Sequence, residues 1–329
     1  MSLRAPRLTW PDPNRRIRGG GVWFVASSGR LRAPWRLSVF VGALAVASLM
    51  ANAFVYPVLS LATSWLSTPP PLYSWVMLVA VLSAIVVALR QVDERPWSDV
   101  AVHGQAWRLP VLAKGSVLGA VSIVAVLLLL LVTGGVQLVS LSDDSGVMQW
   151  SAVGLRALLL LAPAALWEEL VFRGYLWRVA EDAAGTRVAL IATSVAFGAV
   201  HVANPGVNLQ SLSIVVLAGV CLGLVRSATN SVPAAWLAHL AWNWIMAAIA
   251  HASVSGLPFE AVGWRLDAVE PAWWSGGAWG PEGGLASLLV LVAALSAYAA
   301  YARLSRQQRE RATITNIRSP SAATATSGS

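Results

Sequence analysis

A succession of apolar runs, each close to the roughly 20 residues a helix needs to cross a bilayer, constrains this chain more than any other feature. The runs are Leu37 to Ala62, Tyr73 to Leu89, Gly115 to Val132, Ala152 to Trp177, Val188 to Val202, Leu209 to Val225, Val232 to Ala250 and Leu285 to Ala302. The fifth and sixth are short and joined by a brief link. With 57% hydrophobic residues, 12% charged residues and a mean hydropathy of +0.65, a water-soluble globule of 329 residues would carry large exposed apolar patches. The expected fold is therefore an all-α polytopic membrane protein of about eight transmembrane helices around a buried helix core.

Basic residues set the expected orientation, because cytoplasmic loops carry the Lys and Arg excess. Arginines crowd the N-terminal segment and the tail. Arg90, Arg95, Arg108 and Lys114 follow the second span, Arg178 and Arg187 the fourth, and Arg226 the sixth. The opposite links are acidic or uncharged: Asp143 and Asp144 follow the third span, and Glu260, Asp267, Glu270 and Glu282 outnumber Arg265 after the seventh. Both termini are expected in the cytoplasm of a multi-pass cell-membrane protein, with an uncleaved first span. The expected organisation is a disordered basic segment at 1–34, three helices at 35–150, a four-helix core at 151–250, a Trp-rich extracytoplasmic loop at 251–284, a last helix at 285–303 and a disordered tail at 304–329. Trp264, Trp273, Trp274 and Trp279 suit that loop to anchoring at the membrane interface rather than to a lid. The net charge of +8 sits in juxtamembrane segments, which fits anionic lipid better than nucleic acid. Cys221, the single cysteine, excludes an intrachain disulfide and a Cys-based zinc site.

Few strongly polar side chains lie inside the spans, and most fall into three clusters: Glu168, Glu169 and Arg173; His201; and His239 with Asn243. A charge at bilayer depth costs about 2.5–3.5 kcal/mol on insertion scales and marks a functional site by default. Counted from the cytoplasmic boundaries at 1.5 Å per residue, Glu168, His201, His239 and Asn243 lie at roughly 15, 21, 12 and 18 Å, overlapping levels near mid-membrane. Adjacent helical residues point about 100° apart, so Glu168 and Glu169 serve different centres. Glu169 stands four residues before Arg173, the favoured order for a helical ion pair. Glu169 is thus assigned to Arg173, and Glu168 to the site. His239 and Asn243 share a face, as do Phe197 and His201, with Phe197 read as packing.

Such a set supports hydrolysis. A buried carboxylate can take a proton from water, and an amide such as Asn243 can donate to a tetrahedral oxyanion. Two His and one Glu also match the ligand count of a catalytic zinc site, with Zn2+ on His201 and His239. Spending Glu168 as a ligand would leave no general base, so a metal-free glutamate mechanism stands beside the zinc one. Taken singly, an intramembrane His or Asn more often joins helices than catalyses. The alternatives to an enzyme are a non-catalytic membrane scaffold or peptide-immunity protein, and a proton-coupled transporter.

At these residues the chain resembles the CPBP family, the CAAX proteases and bacteriocin-processing enzymes also called the CAAX prenyl protease 2 or Abi family. Its motifs Glu-Glu-x-x-x-Arg, Phe-x-x-x-His and His-x-x-x-Asn stand here as WEELVFRG from Trp167 to Gly174, FGAVH from Phe197 to His201 and HLAWN from His239 to Asn243. RPWSDVAV, from Arg95 to Val102, resembles the stretch that precedes the core in bacterial members. The resemblance implies an intramembrane endopeptidase acting on a peptide or membrane-protein substrate. Glu168 would activate water, His201, His239 and Asn243 would complete the site, and Glu169 and Arg173 would be motif partners.

Overall fold

The computed structural model describes residues 31–66, 69–141 and 146–299. Most of the N-terminal basic segment, the tail after residue 299, and Asp143 and Asp144 lie outside these residues. The helices are α1 (Ala33–Thr63), α2 (Leu72–Val92), α3 (Leu109–Val132), α4 (Val147–Glu169), α5 (Trp177–Val200), α6 (Leu209–Thr229), α7 (Val232–Ile249) and α8 (Leu285–Ala299). Six helical stretches among the described residues are long and apolar enough to cross a membrane. The fourth of them, Val147 to Ala203, is two helices joined at a kink, so the fourth and fifth expected spans both fall within these 57 residues, while α8 is described only over Leu285–Ala299. Inside that stretch Gly185 turns the chain at φ 81°, a left-handed value that costs glycine no steric penalty. The chain is a multi-pass membrane protein. Its outward surface agrees, with Val41, Leu49, Phe54, Leu61, Leu128 and Val132 exposed on α1 and α3.

Local sequence explains the tight link between α6 and α7. Asn208 and Ser211 form a reciprocal capping box at the start of α6, and Asn230 ends that helix in the left-handed conformation. Ser231 then caps α7 by accepting from the Ala234 N–H, with Pro233 in the first turn, where a missing N–H costs nothing. A two-residue turn leaves the helices antiparallel neighbours. The stretch from Arg95 to Val102 forms a short 3-10 turn at Trp97–Val100 and packs under this junction, Ala101 accepting from the Val232 N–H at 3.1 Å.

Close helix contact depends on Gly115 and Gly119, four apart on α3. A side chain on either would collide with the backbone carbonyl of Ala234 or Ala238 on α7. Small residues at this spacing let membrane helices approach along one stripe. At the arginine-rich end, Asp182 binds Arg36 at 3.0 Å, Arg95 at 3.0 Å and Arg178 at 2.7 Å, while Arg36 also reaches Asp93 at 2.7 Å. This network joins α1, the end of α2 and α5. At the opposite end two strands not anticipated from the sequence, β1 (Val136–Ser140) and β2 (Trp264–Ala268), pair antiparallel with Val136 opposite Ala268. They fasten the 251–284 loop to the end of α3.

Candidate active site

The polar site is built where α4 changes its hydrogen-bonding pattern. After Glu169 the helix continues as a π-helix over Leu170–Leu176, a rare form that recurs at functional sites. Arg173 sits in this segment, fully buried. Its Nη1 donates to Glu169 Oε1 at 2.9 Å, its Nη2 donates to the Gly219 carbonyl on α6 at 3.0 Å, and its guanidinium lies 4.3 Å from the centre of the Phe197 ring. Gly219 is glycine for a spatial reason: a Cβ there would press on Ser194 and on the Arg173 guanidinium. The ion pair expected from the four-residue spacing is thus present, held by a fork geometry that lysine cannot reproduce.

Glu169 has a second partner that the spacing did not reveal. Its Oε1 also accepts from His239 Nδ1 on α7 at 3.0 Å. One carboxylate oxygen therefore ties α4 to α7 and carries Arg173 as well. His201 is fixed differently, its Nδ1 lying 2.8 Å from the Phe197 carbonyl. Both acceptors lack a proton to give, so each imidazole donates from Nδ1 and keeps Nε2 for whatever occupies the cavity. Phe197 packs between them, 4.9 Å from His201 and 5.7 Å from His239 by ring centres, with Phe172 edge-on at 5.5 Å.

Glu168 stands apart from this scaffold. It lies within electrostatic reach of His201 and His239, and its Oε2 is buried without a hydrogen-bond partner among the described residues. His201, His239, Asn243 and Phe197 all line one cavity of about 760 Å³. Its walls run from Lys114, Thr229 and Tyr298 at the arginine-rich end, past Gly119, Val215 and Cys221, to Ser255 and Glu282 at the other. Glu168 itself does not line this cavity; two imidazoles with a nitrogen to spare and an amide do, and with the carboxylate in electrostatic reach of those imidazoles the set is able to activate water and to bind a developing oxyanion.

Among the described residues no group of three or more His, Cys, Asp or Glu side chains is placed to hold a metal ion, which falls short of the three protein ligands of a catalytic zinc site. The sequence expectation for one loop side chain is corrected, and a second loop side chain has a place that the sequence did not indicate. Trp279 is not an interfacial side chain: it is 1% exposed and belongs to the apolar cluster that contains Phe197 and Tyr175. Glu282, counted from sequence among the acids of an outer loop, is buried at the rim of the cavity. Both placements have one cause, the folding of the loop onto the helix ends through the β1–β2 pair. Of the four loop tryptophans, Trp273 alone keeps more than half its surface exposed.

Residues 149–245 match the family model described as Rce1-like, type II CAAX prenyl endopeptidase Rce1-like, a region that contains all three motifs. No curated protein and no solved structure matches the chain.

Proposed function

The chain belongs to the CAAX protease family through its core at residues 149–245, and from that premise we propose that it is an intramembrane endopeptidase in which Glu168 activates the attacking water. The observation that carries the reading is the division between the two glutamates. Glu169 Oε1 is spent on Arg173 and His239, whereas no such ion pair or imidazole contact engages Glu168; the Oε2 atoms of both acids are buried without a partner among the described residues.

In this mechanism a substrate peptide enters the cavity and places its carbonyl between Glu168 and the face formed by His239 and Asn243. Glu168 removes a proton from water as the oxygen attacks the carbonyl carbon. The Asn243 amide N–H stabilises the oxyanion, while a free imidazole Nε2 accepts from the attacking water. The proton held by Glu168 then passes to the leaving amine as the C–N bond breaks, so the carboxylate is regenerated. Glu169 and Arg173 fix the position of His239, and the Phe197 carbonyl fixes that of His201. No step passes through a metal.

The orientation that fits places both termini and the arginine-rich end in the cytoplasm of the cell membrane. The apolar walls of the cavity suit a peptide or membrane-protein substrate delivered from the bilayer. The test is turnover of a pool of fluorescence-quenched peptides, with and without a prenylated C-terminal cysteine tail, by purified protein in micelles. Wild type should cleave members of the pool, chelator should leave the rate unchanged, and His201→Ala should lower it by about 10²–10⁴-fold. A wild-type rate in His201→Ala would remove that residue from the site.

A further inference from the structure

The loop acid Glu282 lies outside the three motifs and outside the matched region, yet it occupies the rim of the same cavity. It is 9% exposed. Its Oε1 accepts from the Ser255 backbone N–H at 2.6 Å and the Ser255 hydroxyl at 2.7 Å, and its Oε2 accepts from the Trp242 indole N–H at 2.9 Å. All three partners are neutral donors that converge on one buried carboxylate, the arrangement in which hydrogen bonds to a charged acceptor are short and strong.

These contacts join the two segments that carry the catalytic set. Trp242 is the neighbour of Asn243 on α7, one turn beyond His239. Ser255 is tied in turn to the segment after His201, because Asn204 Nδ2 donates to the Ser255 carbonyl at 2.9 Å, and Asn204 is itself held to the His201 carbonyl at 3.0 Å. A chain of hydrogen bonds thus runs from His201 through Asn204, Ser255, Glu282 and Trp242 to the helix turn that bears Asn243. Glu169 links the catalytic helices within the membrane; Glu282 links them at the rim.

We infer that Glu282 is a positioning residue, a carboxylate pin that fixes the distance between the His201 turn and the His239–Asn243 face. This rests on the peptidase reading above. The contribution is geometric, so it should act on turnover more than on binding, since a displacement of about 1 Å in a reacting group can cost up to 10²-fold in rate.

The experiment measures kcat and KM separately on the quenched peptide that wild type cleaves fastest. Glu282→Gln sets an amide N–H₂ against one of the three donors, and Trp242→Phe deletes the same indole contact from the other side. Each variant should lower kcat by about 10-fold with KM within about twofold of wild type, and the double variant should be no slower than the slower single one, because both cut one link. Wild-type kcat in both single variants, multiplied losses in the double variant, or a rise in KM with kcat unchanged would overturn the assignment. If Glu282→Gln fails to fold, Trp242→Phe decides on the same kcat and KM criterion. Glu168→Gln, run alongside, separates the claims: wild-type turnover there defeats the role of Glu168 as base, failure of the wild type to cleave any peptide defeats the peptidase reading, and loss of turnover in Glu168→Gln combined with wild-type kinetics in Glu282→Gln and Trp242→Phe defeats only the positioning role.

Discussion

Arg173 shows how much of this site one side chain holds. It meets the carboxylate of its own helix, a carbonyl of α6 and the face of Phe197, all without solvent. Removing one partner of such a pair leaves a buried charge uncompensated, at a cost of about 3–5 kcal/mol. Arg173→Leu should therefore unfold at markedly lower denaturant concentration in micelles. Arg173→Lys should recover little of the loss, because an ammonium cannot span Glu169 and Gly219 together. Wild-type stability in the lysine variant would contradict the fork geometry. The Glu169–Arg173 contact was legible in the sequence because helical spacing is local information. The contact from Glu169 to His239 was not, since it crosses 70 residues and depends on how α4 meets α7. Glu282 was hidden for a similar reason: an acid in a long loop carries no signal of burial until the loop's path is known.

At the scale of elements, the α3–α7 contact links packing to chemistry, since α7 carries both His239 and Asn243. Gly119→Val should force the helices apart against the Ala238 carbonyl, lowering stability by about 1–3 kcal/mol and slowing peptide cleavage. Gly42→Val on α1, which meets nothing within 4 Å, is the matched control and should leave both unchanged. Equal behaviour of the two variants in a combined unfolding and turnover measurement would count against this packing account. The apolar runs revealed the helices because a bilayer imposes a length and a composition on each. The π-segment after Glu169 and the β1–β2 pair carry no comparable mark. A π-turn differs from an α-turn by one hydrogen-bond register, and strands of five residues far apart in sequence find each other through tertiary folding.

Across the whole molecule, the acid-bearing loop and the arginine network occupy opposite ends, and the cavity runs between them. In a Cys221→Ala background, a membrane-impermeant maleimide applied to intact cells should label Ala268→Cys and spare Gln105→Cys until the membrane is opened. The reverse pattern would invert the proposed orientation. The central claim is that the adjacent glutamates do separate jobs, and the most direct measurement is the single-turnover rate of peptide cleavage by Glu168→Gln and Glu169→Gln, each read beside its unfolding midpoint. The account predicts that Glu168→Gln keeps its fold and loses at least about 10³-fold in rate. It predicts that Glu169→Gln is destabilised and still turns over measurably wherever it remains folded. A folded Glu168→Gln that cleaves at the wild-type rate, or a stable Glu169→Gln without activity, would contradict it.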